Sequence, residues 1–191
     1  MESVCVLTEE LVVDRDLAID LNGFDVTSYA VCAFNVESGV EFEISGNADI
    51  QLSGMLVRST GTDFKVTVIG TSGTDGIALI HNGKAHNKIT SSYSGEWYFE
   101  NMDITSTTEA VEFDSFFDTN DITEKANTNR PLGEDGKKIS YGADMTFNRV
   151  EFTYDVPLKK DAGQFVTNVY EKGHLYILNS GFHTQHSGVH I

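Results

Sequence analysis

Apolar and polar residues alternate in short runs along this chain, a period of two that places one face of a β-strand in a core and the other in water. Leu17-Ala18-Ile19, Phe42-Glu43-Ile44 and Val66-Thr67-Val68 all follow it. The runs also recur. Leu17, Ile19 and Asn22 return 25 residues later as Phe42, Ile44 and Asn47, and Phe42, Ile44 and Gly46 return after 24 as Val66, Val68 and Gly70. Phe99 and Phe147 stand 48 apart, which reads as two such periods. A period of this length is too long for one hairpin and suits one turn of a β-solenoid.

A second pattern supports the same architecture. Phe99-Glu100-Asn101-Met102-Asp103-Ile104-Thr105, Phe147-Asn148-Arg149-Val150-Glu151-Phe152-Thr153 and Ile177-Leu178-Asn179-Ser180-Gly181-Phe182-His183-Thr184 share an apolar residue, an Asn and a second apolar residue near Thr. Asn tolerates left-handed backbone and bonds neighbouring peptide groups, so it suits a bend between two flat sides, and stacked Asn side chains can bond one another along the axis. Further apolar segments, at Ala33–Val36, Gly76–Ile80, Ala110–Phe113, Gln164–Val166 and Gly188–Ile191, read as a second face. The best helical candidate, Glu109–Phe117, is rich in β-branched and aromatic residues and lacks a cap. Asn22-Gly23 and Asn82-Gly83 are hairpin signals that serve equally as coil corners, and an antiparallel sandwich is the structural alternative.

The expected fold is therefore all-β: a right-handed parallel β-helix with coils of about 24 residues, forming a single domain over residues 1–191. Asp118–Asp144 is polar, contains Asn127, Asn129, Arg130 and Pro131, and reads as an insertion loop projecting from a corner. Lys159-Lys160-Asp161 marks a shorter excursion.

Composition narrows the possible partners. A net charge of −16 argues against nucleic acid and anionic membrane, both of which need clustered Lys and Arg. The excess acid reads first as solubility, and alternatively as a surface suited to calcium or salt. No apolar run is long enough to span a bilayer, and Met1–Glu10 lacks the basic start of a signal peptide. Cys5 and Cys32 form no disulfide framework and read as two buried thiols.

The run Ile19-Asp20-Leu21-Asn22-Gly23-Phe24-Asp25-Val26-Thr27, with Phe34-Asn35-Val36-Glu37-Ser38-Gly39-Val40 and Ile44-Ser45-Gly46, resembles the first coils of pectin-lyase-like right-handed β-helices. Such coils are also found in phage particle or tail proteins and in bacterial surface proteins. The resemblance spans Leu11 to Ile191 outside the insertion and implies coil geometry, since the superfamily includes lyases, hydrolases, adhesins and inert spikes. Its lyases use acid clusters for calcium with Arg or Lys as base, and its hydrolases use groups of Asp. The arginines here are Arg15, Arg58, Arg130 and Arg149, and none sits in a lyase motif.

Several clusters are candidates for chemistry, and each has a plainer reading. Asp114, Asp118 and Asp121 can offer hard oxygen ligands to calcium, but they lack the glycine and closing Glu of an EF-hand and read better as solvated loop acids. Asp20 and Asp25 can form a glycosidase carboxylate pair, although outward strand positions are polar in any case. His183, His186 and His190, with His174 nearby, can ligate a transition metal, or lie scattered on a surface. Tyr93, Trp97 and Tyr98 can stack on sugars, or fill the core. No catalytic residue, metal or other cofactor is assigned.

A solenoid has two open ends that invite association. Val4–Leu7 and Leu11–Val13 read as a cap at the first. Gly188, Val189, His190 and Ile191 begin a strand and stop, so an intermolecular contact is expected there, with Asn127, Asn129 and Arg130 of the insertion as further contacts. The functional expectation is a non-enzymatic structural protein of a virion surface, decoration or tail, or of a cell surface. It would act through contacts with itself, as a trimer or larger assembly, or with other particle proteins. A carbohydrate-binding or carbohydrate-cleaving β-helix, with a surface glycan as ligand, is the alternative.

Overall fold

The computed structural model describes residues 4–59, 63–73, 76–81, 88–91, 94–106, 112–114, 142–154, 165–168, 174–183 and 189–190. Among them there is no helix, and every strand pairing is parallel. The strands begin with β1 (Val4–Leu7), β2 (Leu11–Val13), β3 (Leu17–Asp20), β4 (Asp25–Ser28), β5 (Cys32–Val36) and β6 (Glu41–Gly46). They continue with β7 (Ala48–Leu52), β8 (Met55–Arg58), β9 (Lys65–Gly70), β10 (Ile77–His81), β11 (Lys88–Ser91) and β12 (Ser94–Ser106). The last are β13 (Glu112–Asp114), β14 (Gly142–Tyr154), β15 (Phe165–Asn168), β16 (His174–Leu178), β17 (Gly181–His183) and β18 (Val189–His190).

These strands stack in three columns. The first holds β3, β6, β9, the leading part of β12, the leading part of β14, and β16. The second holds β1, β4, β7, β10, the trailing parts of β12 and β14, and β17. Because β12 and β14 run through the bend, these two columns form one 11-stranded sheet. The third column is a separate 7-stranded sheet of β2, β5, β8, β11, β13, β15 and β18. The chain visits the columns in strict rotation, so pairing joins strands one circuit apart.

Three columns replace the two faces expected from the apolar segments. Ile77–Ile80 and Ala33–Val36, read as one face, lie in the second and third columns. Phe42 pairs with Val66 and Val26 with Ile50, both 24 residues apart, as the repeat predicted. Phe99 and Phe147, however, are direct neighbours in register, so their 48-residue spacing is one enlarged circuit and not two. β14 begins at Gly142, three residues inside the span read as insertion; 118–141 lie outside the described residues.

The alternation performs as expected in the core. Inward positions stack as Ile19, Ile44, Val68, Phe99, Phe147 and Ile177, and the four central ones are at most 1% exposed. Parallel stacking puts like beside like. Phe99 and Phe147 lie 5.2 Å apart, nearly coplanar, and Trp97 meets Phe64 edge-on at 5.2 Å. Trp97 is therefore core, 1% exposed, while Tyr98 faces outward.

At the bend between the first two columns four circuits place one residue at positive φ. Gly46, Asn101, Arg149 and Asn179 occupy this position with φ of 113°, 51°, 55° and 54°. Asn101 and Asn179 meet the expectation that Asn makes the bend. Asn148 does not: its successor Arg149 takes the left-handed position. Gly70 fills the same place in its circuit for a steric reason, since a Cβ there would run into the backbone carbonyl of Asn101.

Gly70→Ala is expected to lower unfolding free energy by about 1–3 kcal/mol through overpacking against a backbone that cannot retreat. Ser28→Ala provides the contrast. The Ser28 hydroxyl is buried without a hydrogen-bond partner, so its removal should leave stability unchanged or raised. Urea denaturation of both variants beside the parent checks the two signs.

Candidate functional site

In the first column the side chains facing away from the core form three rows. One runs Glu41, Lys65, Glu96, Asp144, His174, and the next Ala18, Glu43, Thr67, Tyr98, Thr146, Tyr176. The third runs Ser45, Ile69, Glu100, Asn148, Leu178. In-register parallel pairing brings residues from distant parts of the chain into these rows at the ~4.8 Å strand spacing.

The densest polar cluster centres on Glu100. Tyr98 Oη donates to its Oε2 at 2.6 Å, Asn148 Nδ2 donates to its Oε1 at 3.2 Å, and the Arg149 guanidinium binds that same Oε1. Arg149 Nε also donates to Asn101 Oδ1 at 2.6 Å, and Asn101 Nδ2 donates to the Gly70 carbonyl at 3.0 Å. Asn179 Nδ2 extends the chain of bonds to Asn148 Oδ1 at 3.2 Å. The Glu100 side chain is 16% exposed and Arg149 52%, so the carboxylate is held inside while the guanidinium faces water. With its oxygens committed to three donors, Glu100 is an anchor and not a free base. What the face offers outward is phenol, amide and guanidinium, with Tyr176 48% exposed.

Two grooves accompany this face. One of about 340 Å³ lies beside the first strands, between Leu17, Ala18, Glu43 and Thr67, with Glu41 and Lys65 on its rim. It exists because Ala18 and Thr67 are small. The other, about 350 Å³, follows the second column between Asp25, Asp49 and Asp103, where Ala78 leaves a notch.

The sequence candidates are dispersed by this geometry. Asp20 lies in the first column and its Oδ1 accepts the Asn22 N–H at 3.0 Å; Asp25 lies in the second and accepts the Asp49 N–H at 3.0 Å. They flank the same bend, and each has one carboxylate oxygen on a backbone amide. His183 Nε2 is 2.9 Å from Glu151 Oε2, and His174 Nδ1 is 2.8 Å from Asp144 Oδ1. The backbone of His190 pairs in the other sheet, with Val166. Among the described residues no three metal-binding side chains converge. Asp114 belongs to β13, where its backbone pairs with Asn168, and Val189 pairs with Phe165. His186, Asp118, Asp121, Tyr93, Asn127, Asn129, Arg130, Gly188 and Ile191 lie outside the described residues.

The expected cap at the N-terminal side is instead the first strand of two columns. Among the described residues β1 and β2 pair on one side. Val4, Val6, Leu11 and Val12 are 41–53% exposed and Leu17 of β3 is 36% exposed. A cap needs an outer polar face, and these described residues do not form one. The thiols differ for the same reason. Cys5, on the open first circuit, is exposed, whereas Cys32 is buried and donates to the Phe34 carbonyl at 3.1 Å. The reading of both as buried thiols holds for Cys32 only.

The Glu100 cluster escaped the sequence reading. Its one signal was the recurrence of Phe99-Glu100-Asn101-Met102 as Phe147-Asn148-Arg149-Val150, which puts Glu100 beside Asn148 once the 48-residue spacing is recognised as a single circuit. No protein-family model matches this chain, and neither a curated protein nor a solved structure is similar to it.

A thiol reagent is expected to label Cys5 rapidly and Cys32 only on unfolding, as read by mass spectrometry. Burial, reinforced by the nearby Glu10 carboxylate, pushes the Cys32 thiol up from 9.0 to about 12. The folded chain thus holds that proton more tightly than the unfolded one. The associated stability is complete below pH 9 and declines as pH rises towards 12. Cys32→Ala should flatten that decline in alkaline denaturation curves.

Proposed function

We propose that this chain is a right-handed parallel β-helix of the pectin-lyase-like type its sequence resembles, serving as a non-enzymatic structural component. A virion surface, decoration or tail protein, or a similar cell-surface appendage, is the setting that suits it. Its work is mechanical: repeated parallel pairing in three columns makes a stiff unit, and contacts at its surfaces join it to other protein.

The observation that carries this reading is the open first circuit. Among the described residues, strands β1, β2 and β3 are each paired along one edge, and Val4, Val6, Leu11, Val12 and Leu17 are exposed beside them. An edge of this kind is completed by more polypeptide, since unpaired peptide groups beside apolar side chains favour strand addition. The Glu100 cluster supports the reading from the other side, because its carboxylate is committed to internal bonds that stiffen the face.

A second reading has its own support. Tyr98 and Tyr176 share an outward row with Thr146 between them, roughly 10 Å apart by strand spacing. With the Asn148 amide and the Arg149 fork beside them they form a surface on which a sugar chain can stack and hydrogen-bond. Light scattering coupled to size-exclusion chromatography, followed by a screen of acidic polysaccharides with and without calcium, separates the two. Assembly without glycan cleavage or binding is the expected result. A monomer that binds a glycan, and loses it on Tyr176→Ala, would replace the structural reading with the carbohydrate one; a monomer that cleaves a glycan would make the chain an enzyme.

A further inference from the structure

We propose that copies of this chain stack head to tail, with β16 of one copy pairing in parallel with β3 of the next. This rests on the structural reading above and names the partner of its open edge as a second copy. The first observation is register. Ala18 and Asp20 of β3 begin two of the outward rows, Asp16 just before β3 accepts the Glu41 N–H at 2.9 Å at the head of the other, and the rows end at Tyr176, Leu178 and His174. Among the described residues β16 pairs with β14 alone, and β3 with β6 alone. One more step of the same parallel spacing therefore places His174 beside Asp16, Tyr176 beside Ala18 and Leu178 beside Asp20 of the next copy.

The second observation is shape. Tyr176 and Leu178 are each 48% exposed at the last strand of the column. The groove of about 340 Å³ lies at its first strands, floored by Ala18 and flanked by Leu17, Glu43 and Thr67. An aromatic knob at one end thus faces a notch at the other, and Leu17, 36% exposed, becomes covered.

The third is charge. The first circuit carries exposed carboxylates at Glu9, Asp14, Asp16 and Asp20, so two first circuits brought face to face repel. Head-to-tail contact instead sets Asp16 on the open side of His174, whose other side is already paired with Asp144 at 2.8 Å. The net charge of −16 opposes any self-association at long range, but at about 0.15 M salt it is screened beyond roughly 8 Å. Because the two contacting surfaces differ, the contact is heterologous and need not close.

The test blocks each end separately. Ala18→Arg fills the groove, and Tyr176→Asp removes the knob; both sites are at the surface, and circular dichroism verifies that each variant folds. At 0.15 M salt (chosen for that screening length) the parent should show a light-scattering mass that climbs with concentration and has no fixed plateau. Each variant alone should be monomeric, and an equimolar mixture should give two-chain particles and nothing larger, because one good end of each kind survives. Labelling of Cys5, on the open first circuit, should slow several-fold as the parent is concentrated.

A closed oligomer indifferent to both substitutions would overturn the head-to-tail contact while leaving a structural assembly in place. So would variants whose mixture stays monomeric while the parent assembles. A parent that is monomeric at every concentration overturns the contact as well, and the structural reading falls with it only if that monomer also binds or cleaves a glycan.

Discussion

The bend between the first and second columns is the constraint on which the rest of this structure depends. Parallel strands that stay in register must all turn at the same place, or the inward side chains of one circuit would meet the outward ones of the next. A shift of one residue exchanges the two faces of a strand. Four circuits make that turn with a residue at positive φ in the same place, Gly46, Asn101, Arg149 and Asn179. Left-handed backbone is strained for most L-residues, and here the strain is offset by bonds between circuits. Asn101 reaches the Gly70 carbonyl in one direction and Arg149 in the other. The bend is thus also the place where one circuit is fastened to the next, and it orders the outward rows along which the Glu100 cluster forms.

Local patterning was sufficient to read the strands and their stacking, and insufficient for the register of the later circuits. Leu17, Phe42 and Val66 declared both alternation and period because their circuits differ by a single residue in length. Phe99 and Phe147 declared alternation only. A spacing of 48 is equally two plain circuits or one enlarged circuit, and nothing within either strand distinguishes them. The third column stayed hidden because β12 and β14 pass through the bend without a break in strand character, so two sides read as one segment. Arg149 was missed as a bend residue because arginine carries no left-handed preference; only its place opposite Asn101 imposes it.

The site candidates were chosen on a different footing. Proximity in sequence brought Asp20 and Asp25 to notice, and the histidines from 174 onward, whereas parallel pairing joins residues one circuit apart. Asp20 and Asp25 each have a carboxylate oxygen on a backbone amide, and each described histidine side chain ends on an acid of the preceding circuit. The cluster that does form, Tyr98, Glu100, Asn148 and Arg149, draws its members from two circuits and is invisible without the register. Exposure was equally unreadable at the first circuit. Val4–Leu7 has the composition of a buried strand, yet Val4 and Val6 share the outward rows of Asp25 and Thr27 and lie in water.

A stack of this kind has a chemical polarity that its symmetry of fold conceals. Every circuit repeats the same three columns, so backbone pairing alone would join any end to any other end of the right direction. The side chains remove that freedom. Carboxylates flank the open edge of β3, whereas the last strand of the same column presents His174, Tyr176 and Leu178. Small residues at Ala18 and Thr67 leave a notch on one side, and a phenol projects on the other. Backbone edges supply attraction that is indifferent to identity, and the outward rows supply the discrimination. In the stacking proposed above, selectivity for what joins the chain would reside in the few side chains of its first and last strands, because the circuits between them are already occupied by one another.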